Sequence, residues 1–88
     1  MSEAFTDNAP RNRFELDIDG QIVFATYRRT ADGLQILHVE APPPLRGTGA
    51  ASRLMQHVAD AARAEGRPIS PWCGYAASWL RRHGGGRG

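Results

Sequence analysis

Pro42-Pro43-Pro44-Leu45-Arg46-Gly47-Thr48-Gly49-Ala50-Ala51 joins an apolar run, Leu34 to Val39, to an alanine-rich stretch with helical periodicity. A strand, a tight turn holding one Arg and two Gly, and then a helix start make a natural cradle for a phosphate group. Glycines let the backbone approach an anion closely, and the unpaired N–H groups of a first helical turn point at it. Arg46 precedes the glycines where it can cap that anion, and no acidic residue interrupts the segment.

Outward from this loop the chain reads as a few short elements. Phe14, Leu16 and Ile18 alternate with Glu15, Asp17 and Asp19, the pattern of a half-buried strand. Asp19-Gly20 predicts a type I′ hairpin turn into a second strand, Gln21 to Arg29. That strand is apolar on both faces at Ile22, Val23, Phe24 and Ala25, so a central position is expected. Ala31-Asp32-Gly33 turns the chain into a third strand, Leu34 to Glu40, which the triple proline then breaks, opening a gap in the sheet. Leu54, Met55, Val58, Ala61 and Ala62 fall on one face of a helix over Ala50 to Glu65, and Gly66 stands at its C′ position. Arg67 to Trp72 reads as a fourth strand and Ala76 to Arg82 as a short helix. Trp72 and Trp79 are both expected in the core.

The 88 residues hold one domain with one modest core. A polar arm over residues 1–12 is expected to be flexible, the domain to span 13–83, and the glycine tail, 84–88, to be disordered. With 41% apolar and 23% charged residues the chain is globular. A net charge of +2 does not argue for nucleic acid. The single cysteine excludes an internal disulfide framework and fits a reducing cytosol, so a cytoplasmic location is expected. No apolar run approaches the ~20 residues of a membrane span, and Met1-Ser2-Glu3-Ala4 does not open a signal peptide.

Two nucleotide-binding signatures can be set aside. The Walker A loop requires a lysine, and the chain has none; the dinucleotide fingerprint needs a third glycine and a longer sheet. What fits is R-x-x-G-x-A, at Arg46, Gly49 and Ala51. It resembles the pyrophosphate-binding signature of the GNAT superfamily, the acetyl-CoA-dependent N-acetyltransferases. His38-Val39-Glu40-Ala41-Pro42 resembles the lead-in to that loop in a small stand-alone branch. Pro71-Trp72-Cys73-Gly74-Tyr75, followed by Trp79-Leu80 and Arg82-His83, is similar to the branch's P-x-C-x-Y segment and terminal helix.

The resemblance implies an α+β fold with a mainly antiparallel, mixed sheet of about four strands in the order β-β-β-α-β-α. It is the GNAT fold truncated by its N-terminal strand-helix-helix portion, which leaves the acceptor groove open or built by a partner. It implies acetyl-CoA as co-substrate, its pyrophosphate held by Arg46, Gly47, Thr48, Gly49, Ala50 and Ala51, and an amine as acceptor. His38 and Glu40 share one strand face, where either can take a proton from the amine, or serve as a satisfied histidine and a solvated strand end. Cys73 would lie near the thioester, as a transient acyl carrier or a proton donor to the departing thiolate; a small buried residue is the plain reading. Tyr75 is the other proton donor, with core packing as its alternative. His57 and His83 make no metal-ligand pattern with Cys73, so no metal is expected. Two rival functions stay open: a non-enzymatic acyl-CoA-binding module, and a nucleic-acid or protein adaptor using Arg81, Arg82, His83 and Arg87. A homodimer is compatible with an open, truncated sheet.

Overall fold

The computed structural model describes residues 3–83, so the glycine tail lies outside the described residues. Five strands form one sheet in the order β1-β2-β3-β4-β5. They are β1 (Glu3–Asn8), β2 (Arg13–Ile18), β3 (Gln21–Thr30), β4 (Gly33–Glu40) and β5 (Ile69–Pro71). The first four pair antiparallel in sequence order, and β5 joins β4 in parallel. Two helices, α1 (Ala50–Glu65) and α2 (Gly74–His83), complete the domain.

Alternation along β2 and β3 sends Phe14, Leu16, Ile18, Val23, Ala25 and Tyr27 into the core, where Leu34 and Ile36 of β4 join them. Leu54, Met55 and Val58 of α1 and Ala76, Trp79 and Leu80 of α2 pack into that same cluster. Both helices therefore cover one face of the sheet. The β2–β3 turn has Asp19 at φ 51° and Gly20 at φ 87°, as a type I′ turn requires. Gly66 ends α1 in the left-handed conformation, its N–H bonded to the carbonyls of Ala62 and Arg63.

Three expectations are corrected. Residues 3–8 of the supposed flexible arm form β1, paired along its whole length with β2. Its sequence carries little hydrophobic signal because distant side chains hold it. Phe5 stacks on Phe14 and His57 at 5.6 and 4.8 Å, and Glu3 meets Arg53 at 2.9 Å. The sheet thus has five strands, not four, and only a 3-10 turn, Ala9–Arg11, separates β1 from β2. Secondly, β3 is central, yet its second face is uncovered: Ile22 is 38% exposed, and Phe24 is shielded by the Arg13 guanidinium 4.4 Å from its ring centre. Thirdly, Trp79 is buried but Trp72, just beyond the short β5, is 66% exposed.

Arg29 ties three elements together, reaching Asp7 of β1 at 2.9 Å and Glu65 at the end of α1 at 2.7 Å. Tyr27 donates its hydroxyl to Asp7 and accepts from Arg29. The Arg29 hydrogen bonds hold the Glu65 carboxyl below its usual range, and Arg13 does the same for Glu15. A carboxyl lowered in the folded state contributes stability that is complete above the unfolded value and lost as pH falls through the folded one. Urea midpoints are therefore expected to hold from neutrality down to about pH 4.5 and to fall steadily below it. In Arg29→Gln the neutral-pH midpoint is lower and that acid loss is shallower.

Candidate functional site

Register decides where the site lies. β4 and β5 pair only at Leu34–Ile69, Gln35–Ser70 and Ile36–Pro71, and the last link is the Trp72 N–H to the Ile36 carbonyl at 2.8 Å. From Leu37 onward β4 has lost this neighbour, because Cys73 turns the chain into α2. The strands thus part ahead of the triple proline, which lies farther along in a turn, Pro43–Leu45. The expected gap exists, and the start of α2 makes it. At the same point the β3–β4 register shifts: Thr26 pairs with His38 and Tyr27 with Ile36, so Leu37 is an unpaired bulge residue. Beyond it, His38 to Glu40 keep β3 as their only strand neighbour, so the β4 edge along the split has no strand partner there.

The glycine loop stands at the far end of this edge. Gly47 and Gly49 have φ of 78° and 86°, a region L side chains rarely enter, and Gly49 caps α1 without a side-chain acceptor. The first-turn amides of α1 are therefore open for an anion. Thr48 is engaged locally, its hydroxyl donating to the Leu45 carbonyl at 2.6 Å. Arg46 folds back with its Nε donating to the Ala41 carbonyl at 3.1 Å, which leaves its terminal nitrogens exposed. Ala41, Leu45, Arg46, Gly47, Gly49, Ala50, Ala51 and Tyr75 enclose a hollow of about 300 Å³. No acidic residue lines it, and the start of α1 does, so the α1 macrodipole adds to the charge of Arg46 in a positive local field. Ala41 and Leu45 are walls the sequence did not single out, although both flank the loop.

Tyr75, in the first turn of α2, brings its phenol to this hollow. Burial pushes the phenol above its ordinary value, partly offset by the charge of Arg82, so it stays protonated at neutral pH. Cys73 is the residue before α2, and its Sγ accepts the Ala76 N–H at 3.4 Å while packing against the core. The sulfur thus caps a helix, and it is not part of the hollow's lining.

His38 and Glu40 lie elsewhere. Pairing of Thr26 with His38 and Phe24 with Glu40 sets both on the sheet face away from the helices. There the His38 Nε2 and Glu40 Oε1 are 3.0 Å apart, and both side chains are about half exposed. A roomier hollow, about 640 Å³, opens beside the Ala9–Arg11 turn. The structure therefore brings the loop and Tyr75 together on one side of the split and sets the His38–Glu40 pair on the other. Among the described residues no cluster of His, Cys, Asp and Glu has the make-up of a metal site, and no helix is long and apolar enough to cross a membrane.

A bulged strand, a glycine loop on a helix start and a parallel neighbour that splits away define a compact acetyltransferase-type fold. Residues 13–85 match the family model of the GCN5-related N-acetyltransferases, and the chain belongs to that family. No curated protein matches the chain. Membership supports a transferase function of the acetyltransferase type in general terms.

Proposed function

We propose that the chain transfers an acetyl group from acetyl-CoA to an amine. The observation that carries this reading is the hollow walled by the start of α1, positive-φ glycines and Tyr75, at the mouth of the split between β4 and β5. Such a wall of N–H donors suits a pyrophosphate, and the width of one missing strand suits the slender arm of CoA. Acetyl-CoA supplies the acetyl group as a thioester.

The chain's own residues divide the work by face. Arg46, Gly47, Thr48, Gly49, Ala50 and Ala51 hold the pyrophosphate from the helix side. Amides on the unpartnered edge of β4 donate to the carbonyl oxygen as negative charge develops on it. From the opposite face the amine enters, and His38, oriented by Glu40, takes the proton that nitrogen loses on attack. Tyr75 returns a proton to the departing thiolate. Direct attack is favoured over an acyl-cysteine because Cys73 packs against the core and is not among the residues lining the hollow.

Release of CoA thiol across a panel of amines tests this scheme. Tyr75→Phe and His38→Gln are each expected to lower kcat by about 10²-fold or more, the usual scale for a lost acid or base. Cys73→Ala is expected to keep kcat within about threefold and to lose only some cap stability. Collapse of turnover in Cys73→Ala, with an acetylated Cys73 trapped in the wild type, would replace direct attack by the covalent route. No transfer to any amine by protein that binds CoA would leave the non-enzymatic binding module.

A further inference from the structure

On the sheet face away from the helices, the hollow of about 640 Å³ is lined by Ala9, Arg11, Asn12, Thr26, Arg28 and Leu37 together with parts of Tyr27 and Arg29. Arginines 13, 29, 53, 63 and 67 each meet a carboxylate within 3.0 Å. Arg29 in the hollow's lining is thus ion-paired with Asp7 and Glu65, whereas Arg11 and Arg28, like Arg46, Arg81 and Arg82 elsewhere among the described residues, form no ion pair. The acid nearest by charge, Glu15, is already occupied, accepting from Arg13 at 2.6 Å and from Asn8 at 3.1 Å. Two exposed arginines thus line one concavity that holds no carboxylate, and neither forms an ion pair, Glu15 being near enough to Arg11 only to feel its charge.

The rim of this hollow is fixed in place. Asn12, in the left-handed conformation, closes the 3-10 turn through its N–H to the Ala9 carbonyl, and its own carbonyl accepts the Tyr27 N–H at 2.9 Å. The turn is therefore clamped onto β3. The hollow also adjoins the chemistry. Thr26 in its lining is the cross-strand partner of His38, and Leu37 in its lining is the bulge residue where β4 and β5 part. Arg28 stands two residues from Thr26, about 7 Å along β3, so Arg28 to His38 spans on the order of 8 Å between backbones.

We propose that this hollow binds the acceptor, and that it selects a small amine carrying an oxyanion, held by Arg11 and Arg28 while the nitrogen lies toward His38 and the split. The inference rests on the acetyl-transfer reading for the word acceptor, but the binding site itself does not. A guanidinium fork matches carboxylate and phosphate oxygens alike, and Arg28 and His38, on neighbouring strands of one sheet face, are near enough for one small molecule to meet both. Leu37 supplies apolar contact for the linking methylenes, and the bare sheet face leaves the entrance open.

The test is direct binding, read by amide chemical shifts with CoA present. 4-Aminobutyrate is compared with butylamine, and O-phosphoethanolamine with ethanolamine; the two pairs separate carboxylate from phosphate. The anionic member of at least one pair is expected to bind about tenfold more tightly, with shifts centred on Arg11, Thr26, Arg28 and Leu37. In Arg11→Gln/Arg28→Gln that preference disappears while CoA affinity and melting temperature hold. Equal binding within both pairs, shifts centred elsewhere, or a preference that survives the double variant would each overturn the proposal. Anion-selective binding without acetyl transfer would sink the transferase reading and leave the site standing. Transfer that ignores the anion would do the reverse.

Discussion

Calorimetric titration of an Arg46→Glu/Gly49→Asp double variant with acetyl-CoA is expected to show no saturable binding, where the wild type saturates. Gly49 precedes α1 with φ 86°, and a Cβ added there would meet only the Arg53 Nη1, at 3.9 Å. Aspartate is among the few L residues that tolerate the left-handed region, and it is also a favoured N-cap. The folded state should survive, with a melting temperature lowered by the strain of an L residue at this positive φ, on the order of 1 kcal/mol. The carboxylate of Asp at 49 would accept the very first-turn N–H groups that a pyrophosphate needs. Two negative charges near 5 Å from the ligand cost roughly 3 kcal/mol each at an effective dielectric of about 20. Halving this for an exposed loop still removes on the order of 3 kcal/mol, a loss of more than 100-fold in Kd. Binding by the variant within a few-fold of wild type would move the ligand away from this loop. Folded wild-type protein that ignored both acetyl-CoA and CoA would remove the enzyme and the binding module together, leaving the adaptor.

Trp79→Ala is the largest stability change expected. Trp79 is 2% exposed, stacks on His83 with ring centres 4.1 Å apart, and donates its indole N–H to the Ser52 hydroxyl at 2.8 Å. Truncating a buried Trp to Ala typically removes about 3–5 kcal/mol. A chain of this length holds only about 4–13 kcal/mol in total. Urea unfolding followed by circular dichroism should therefore show a midpoint lowered by roughly a quarter or more, or no cooperative transition. A midpoint unchanged within error would contradict the packing of α2 described here. The residue also matters to the hollow, since Ser52 belongs to the first turn of α1. Trp79→Phe keeps most of the buried volume and loses the hydrogen bond from the middle of α2 to the first turn of α1. It is expected to fold, with CoA affinity reduced several-fold.

Much of the sheet and helix pattern was legible because local rules set it. Alternation marked β2, apolar runs marked β3 and β4, Asp19-Gly20 named its own turn, and α1 runs over the expected Ala50–Glu65 with Gly66 behind it. α2 begins two residues earlier than expected, at Gly74, because the sulfur of Cys73 serves as an acceptor at its start, a role no propensity scale assigns to cysteine. β5 shrank from Arg67–Trp72 to Ile69–Pro71, since Arg67 is drawn away to Glu65 and to the Thr30 carbonyl. Of the site residues, the loop was readable from its glycines and helix start. That His38 and Glu40 face away from it was not, because a strand face has no meaning until the helices choose a side.

By itself the sequence determined the order of elements from β2 onward, the glycine loop ahead of α1 and the family, all of which rest on local patterns and short motifs. The tertiary structure alone decided that Glu3–Asn8 completes the sheet, that Trp72 points outward, and that β4 and β5 part at Leu37. It also decided that Arg11 and Arg28 share a hollow without a carboxylate. Each of these depends on partners far apart in the chain, Phe5 with His57 or Arg29 with Glu65, and no local pattern encodes who those partners are.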